Sequence, residues 1–204
     1  MKILGISDSG RKKGIIQEVV KIVLKNTEVP YEFLSLSDYS IIGCLGCTEC
    51  AKDNRCTNVS DGWHIISKKM LESDAIVFGA PTYYGIINSL AHACLERTYS
   101  FRHREKFLLA GKLGISIGVN GDKEDNLVRN LIKKIMISNK MSVVDVLHAK
   151  GYSQCYTCGY GEVYGAGSVV TKHCYNCNLL EHDYPLVLKI KIKHIIKQIE
   201  PEKS

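Results

Sequence analysis

The feature that most restricts the fold is the run Asp74-Ala75-Ile76-Val77-Phe78-Gly79, continuously apolar between turn-forming residues. A strand that is apolar at every position is buried on both faces, as a central parallel strand is when helices cover it above and below. The chain around it keeps a matching rhythm. Lys2 to Ser7 reads as a strand, and Gln17 to Leu24 as a helix with its apolar residues at helical spacing. Tyr31 to Leu36 alternates like a strand with one buried face, and a helix follows through Trp63, Ile65, Ile66, Met70 and Leu71, with Ser60 or Asp61 as its cap. After the central run come a helix from about Asn88 to Tyr99, a strand from Lys112 to Val119, and a helix over 126–139 with a stripe of Leu127, Leu131, Ile132, Ile135 and Met136. Met141 to Leu147 supplies one more strand. This alternation predicts a doubly wound, five-stranded parallel sheet. In such a sheet a ligand sits beyond the carboxyl ends of the strands, where the strand order switches.

Three loops stand at that edge. Ser7-Asp8-Ser9-Gly10-Arg11-Lys12-Lys13-Gly14 offers hydroxyls, glycines for close backbone approach, three cations and a following helix N-terminus, which together suit a phosphate group. The second loop is Ala80-Pro81-Thr82-Tyr83-Tyr84-Gly85 and the third Asn120-Gly121-Asp122.

Cysteine carries the other signal, with nine in 204 residues. No apolar run reaches the roughly 18 residues of a membrane span, and Met1 to Ser7 is too short for a secretory leader. The expectation is therefore a cytoplasmic protein whose thiols serve metal, cluster or redox chemistry rather than a disulfide framework. Cys44, Cys47 and Cys50 stand at three-residue steps, with Cys56 six residues on. Each iron of a cubane needs one thiolate, and this compact spacing favours a [4Fe–4S] cluster, with zinc and a redox-active thiol pair as the alternatives. Cys155, Cys158, Cys174 and Cys177 form C-x2-C-x15-C-x2-C, which suits structural zinc, a second cluster or a dithiol pair. Cys94 reads as a buried apolar residue. The histidines are scattered without ligand spacing.

The chain reads as one domain over 1–204, with the first cysteine set in a loop over 37–60, the second in an insertion over 150–180, and a closing amphipathic helix from about Tyr184 to Ile199. Much of the net charge of +6 falls on Lys189, Lys191, Lys193 and Lys197, the solvated face of that last helix rather than a nucleic-acid surface.

Four segments in order resemble the NADPH-dependent FMN reductase-like flavodoxin superfamily, and specifically its iron–sulfur flavoproteins. They are Leu4 to Ser7 with Ser9, Arg11, Lys12 and Gly14; the run Cys44, Cys47, Cys50, Cys56; Ser73 to Gly85; and Leu95-Glu96-Arg97 ahead of Gly111-Lys112. The resemblance covers about residues 1–148 and implies a flavodoxin-like sheet of order 2-1-3-4-5. It further implies FMN, its phosphate on Ser7, Ser9, Arg11, Lys12 and the backbone of Gly14, Ile15 and Ile16. Its ring would lie against Pro81, Thr82, Tyr83, Tyr84, Gly85, Asn120 and Gly121. Asp8 and Gly10 depart from the family's phosphate loop, as do Ile15 and Ile16, which replace polar residues. The function implied is electron transfer between a one-electron donor such as ferredoxin and FMN, then to a small oxidant, in a homodimer or homotetramer. The alternatives are an NAD(P)H-dependent FMN or quinone reductase with structural cysteines, and a non-catalytic zinc-binding module.

Overall fold

The computed structural model describes residues 1–9, 14–120 and 127–150. Five parallel strands form the sheet: β1 (Ile3–Ser7), β2 (Tyr31–Ser35), β3 (Ala75–Tyr83), β5 (Leu113–Asn120) and β6 (Ser142–Lys150), in the order β2-β1-β3-β5-β6. The two-residue strand β4 (Ile86–Ile87) pairs antiparallel with the end of β3. Counting the parallel strands alone, this is the 2-1-3-4-5 order of a flavodoxin-like fold. The helices are α1 (Ile15–Asn26), α2 (Trp63–Glu72), α3 (Ser89–Arg97) and α4 (Leu127–Ser138).

Alternation along the strands builds two cores. Leu4, Ile6, Ile76 and Phe78 point to the face covered by α2, α3 and α4, where Trp63, Ile66, Met70, Ala91, Leu95, Ile132 and Met136 are buried. Ile3, Val77, Ile115 and Ile117 point to the opposite face, against Val19, Val20, Val23 and Leu24 of α1. Cys94 is fully buried in the first core, as its sequence context predicts.

Several boundaries differ from expectation. Pro81, Thr82 and Tyr83, expected in a loop, continue β3, because the two-residue turn Tyr84-Gly85 takes positive φ at both positions (53° and 80°) and folds the chain back as a hairpin. The helix expected to reach Tyr99 stops at Arg97 and gives way to a 3-10 turn, Thr98–Phe101. The Thr98 and Ser100 hydroxyls donate to the carbonyls of Leu95 and Arg97 at 2.6 and 2.8 Å, competing with the helical ladder. β6 runs past Leu147 because its register with β5 continues to Asn120 opposite Lys150. Gly62 stands at the cap position of α2, while Asp61, one of the two expected caps, accepts the Trp63 N–H at 3.1 Å through Oδ1. The closing helix and the second cysteine set, Cys155 to Cys177, lie outside the described residues.

At the crossing of α1 over the sheet, Gly79 admits no side chain: a Cβ there stands 2.7 Å from a Val20 methyl and 3.2 Å from an Ile16 methyl. Both neighbours are β-branched and stiff in a helix. Gly79→Ala is expected to destabilise the protein by about 1–3 kcal/mol through overpacking, measured as a lowered urea midpoint with an unchanged slope.

Candidate functional site

At the carboxyl end of β1 the sheet order switches between β1 and β3, and the residues expected to hold a phosphate gather there. Ser7 is fully buried, and its Oγ has no hydrogen-bond partner among the described residues. A buried hydroxyl without a partner is uncommon in a folded protein and fits a ligand oxygen. Ser9 is also buried. Gly14 caps α1, and the first helical bond runs from the Gln17 N–H to the Gly14 carbonyl, so the N–H groups of Ile15 and Ile16 lie ahead of the ladder and face the loop end. Their side chains do other work: Ile16 is 4% exposed in the second core, and Ile15 packs against it. The loss of two polar side chains is thus a gain in packing that leaves the backbone donors in place. Arg11, Lys12 and Gly121 lie outside the described residues.

Asp8 does not aim its whole charge at the phosphate loop. Its backbone N–H donates to Gly79, and its buried carboxylate accepts the Ala91 N–H at 3.2 Å, in the first turn of α3. Burial pushes the Asp8 carboxyl up to about 6, against the opposing pull of the Asn88 side chain and the Ala91 N–H. Pro81 and Thr82 are half-buried, whereas Tyr83 is exposed and Tyr84, at the hairpin tip, projects fully into solvent. Asn120, expected against a ring, meets His148 Nε2 through its side-chain oxygen.

The first cysteine set lies between β2 and α2, and the loop's turns need unusual backbone. Gly46, Thr48 and Asn54 all have φ near +60°. For a β-branched residue such as Thr48 this is strained, the kind of cost found at functional sites. Both stems of the loop are held by one side chain. Arg97, at the end of α3 and 2% exposed, donates from Nη1 to the Ile42 carbonyl (3.1 Å) and Asp61 Oδ2 (2.8 Å), and from Nη2 to the Asn58 carbonyl (2.8 Å). Its guanidinium also lies 5.4 Å from the Trp63 ring centre. Burial pushes the Asp61 carboxyl up, but the Ile42 and Trp63 N–H groups and Arg97 outweigh it and hold the carboxyl below its usual range.

Between these stems is a pocket, partly open to solvent, lined by Cys44, Cys47, Cys50 and Cys56 together with Arg97. Among the described residues no three of His, Cys, Asp and Glu stand together as a single-ion site. Four thiols about one pocket are the donor set that an iron–sulfur cluster takes. Burial pushes the Cys50 thiol up, and the charges of Cys56, Cys44 and Cys47 add to it. Arg97, which lines this pocket, has a buried Nε without a hydrogen-bond partner among the described residues. The cysteine set and the loop fit an iron–sulfur cluster.

Sequence spacing missed the roles of four residues of this site. His103, on the basic loop after the 3-10 turn, places Nε2 3.2 Å from Cys50 Sγ. Asn54 and the Arg97–Asp61 pair tie the cysteine loop to distant segments. Their partners are 36 to 53 residues away in sequence, so no local pattern marks them.

The model of the family described as NADPH-dependent FMN reductase matches residues 1–150, and the chain belongs to that family. It is an FMN-dependent oxidoreductase, which sets aside the reading as a non-catalytic module. An iron–sulfur flavoprotein of Methanocaldococcus jannaschii is 30% identical over 152 residues, 71% of this chain and 76% of the relative. One of Clostridioides difficile is 27% identical over 160 residues, 76% and 70% of the two chains. Among solved structures, RosB, crystallised with 8-demethyl-8-formylriboflavin-5'-phosphate, shares the fold with a TM-score of 0.62 at 15% identity, covering 98% of this chain and 81% of the other. No helix among the described residues is long and apolar enough to cross a membrane.

Replacing Arg97 by Met leaves Asp61 buried and unpaired, and is expected to cost about 3–5 kcal/mol. Adding Asp61→Asn should recover part of that loss, a coupling that a double-mutant cycle in urea measures. Asp8 holds its proton more tightly folded, at about 6, than its ordinary value of 3.8. Its contribution is therefore most favourable below about 4, is lost as the pH rises to about 6, and stays lost above. Asp8→Asn should stabilise the protein by up to roughly 3 kcal/mol at pH 7.5, and the gain should vanish by pH 4 in the same denaturation assay.

Proposed function

We propose that this chain is an iron–sulfur flavoprotein that takes electrons singly from a one-electron donor such as a ferredoxin and passes them through FMN to a small oxidant. The carrying observation is the pocket lined by Cys44, Cys47, Cys50 and Cys56 beside the buried Arg97. The names of the relatives support the same reading. When bound, the cluster supplies single-electron carriage and the flavin one- or two-electron storage.

The chain's own residues bind and orient. Ser7, Ser9, the α1 N-terminus and the cations Arg11 and Lys12 suit the FMN phosphate, since a dianion wants hydroxyls, N–H groups and a guanidinium. Pro81 to Gly85 and Asn120-Gly121 suit the ring. Tyr83, being partly covered, is the better aromatic wall; Tyr84 at the exposed tip would meet a ring only across an assembly of copies. A homo-oligomer accords with that tip and with the exposed Ile86 beside it. The family's name favours a second reading, reduction of FMN by NAD(P)H, with the cysteines structural.

Anaerobic purification with iron, sulfide, zinc and FMN measured on one sample separates these readings. The expected content is about four iron, four sulfide and one FMN per chain, with iron lost and FMN kept in Cys47→Ala. FMN without iron would move the assignment to the NAD(P)H reductase.

A further inference from the structure

We propose that His103 is a positioning residue for the cluster: its imidazole N–H donates a hydrogen bond to the Cys50 sulfur and raises the cluster's reduction potential. The inference rests on the cluster assignment and adds the side chain that tunes it. His103 Nε2 lies 3.2 Å from Cys50 Sγ. A thiolate bound to iron carries no proton and only accepts, so the ring nitrogen facing it must be the protonated one. By contrast, Cys44 takes a local contact from the Gly46 N–H at 3.5 Å.

The pairing is built rather than incidental. Asn54, 4% exposed and at φ 60°, donates its backbone N–H to the Cys50 carbonyl at 2.9 Å and so closes the turn that presents the thiol. The side chain of that same residue accepts the backbone N–H of His103 at 2.6 Å and donates to the Lys106 carbonyl at 3.2 Å. One buried amide therefore fixes the ligand and the donor together. The ring is further held edge-on to Tyr99, with centroids 5.3 Å apart, and Arg104 Nε reaches the Ala51 carbonyl at 3.3 Å, tying the two loops a second time. Reduction adds one electron's charge to the cluster and its thiolates. A fixed N–H donor stabilises that added charge, so its removal disfavours reduction.

The test uses anaerobically purified holoprotein at one fixed pH: wild type, His103→Leu, which has no donor, and His103→Gln, whose amide nitrogen can stand near Nε2. The midpoint of the cluster is read by redox titration followed by electron paramagnetic resonance, beside iron and sulfide content. Leucine is expected to lower the equilibrium constant for one-electron reduction about tenfold, equal to 59 mV, at unchanged iron content, and glutamine to restore most of it. An unchanged midpoint in the leucine variant overturns the proposal, as does a shift that glutamine fails to restore, which would mark packing. If the leucine variant loads no cluster, pulsed resonance on wild type with 15N-labelled histidine decides: a weak coupling supports the hydrogen bond, and a strong one, marking imidazole bound to iron, overturns it. Wild type without iron and sulfide overturns the cluster assignment and this inference together.

Discussion

Arg97 and Asp61 meet at 2.8 Å with side chains 1% and 5% exposed, and the arrangement of the cysteine loop depends on that contact. A buried ion pair adds little net stability, since desolvation takes back most of the attraction. What this pair supplies is position. One guanidinium, anchored at the end of a core helix and lying over Trp63, holds the carbonyls on both sides of the cysteine run. Trp63 is in turn stacked on Phe101, 5.5 Å between ring centres. A loop with little regular structure of its own thereby takes its geometry from the hydrophobic core.

Helix α3 joins the two candidate cofactor sites. Near its start, the Ala91 N–H takes the carboxylate of Asp8, at the β1 end where the phosphate loop begins. Six residues on, Arg97 forms the wall of the cysteine cavity, about 9 Å along the axis at 1.5 Å per residue. The helix is packed between by Ala91, Cys94 and Leu95, all in the core. Burial and the nearby Asp8 charge both push the Cys94 thiol far up, so it is an inert packing group and not a fifth thiolate. A rigid element that fixes one site at each end is what a protein coupling single-electron and flavin chemistry needs.

The sheet was legible because its strands are apolar at every position, as in Ile76, Val77 and Phe78, and because the helices repeat with their own period. Its ends were less so: a positive φ at Tyr84 has no signature in the residue type, and it decides that β3 runs on to Tyr83. The cysteine spacing located the cavity, but nothing local points from Cys50 to His103 or from Asp61 to Arg97, which tertiary packing alone brings together. At Ile15 and Ile16 the family resemblance stressed lost polar residues and the helix was expected from Gln17; it begins at Ile15 instead, and Ile16 joins Val19, Val20 and Val23 in the core.

The most direct test of the central claim, that one chain couples a one-electron centre to a flavin, is a stepwise anaerobic reductive titration of the purified protein followed by visible and electron paramagnetic resonance spectra. The account predicts uptake of about three electrons per chain, one at the cluster and two at the flavin. Uptake of about two, with flavin bleaching and no cluster signal, would contradict it.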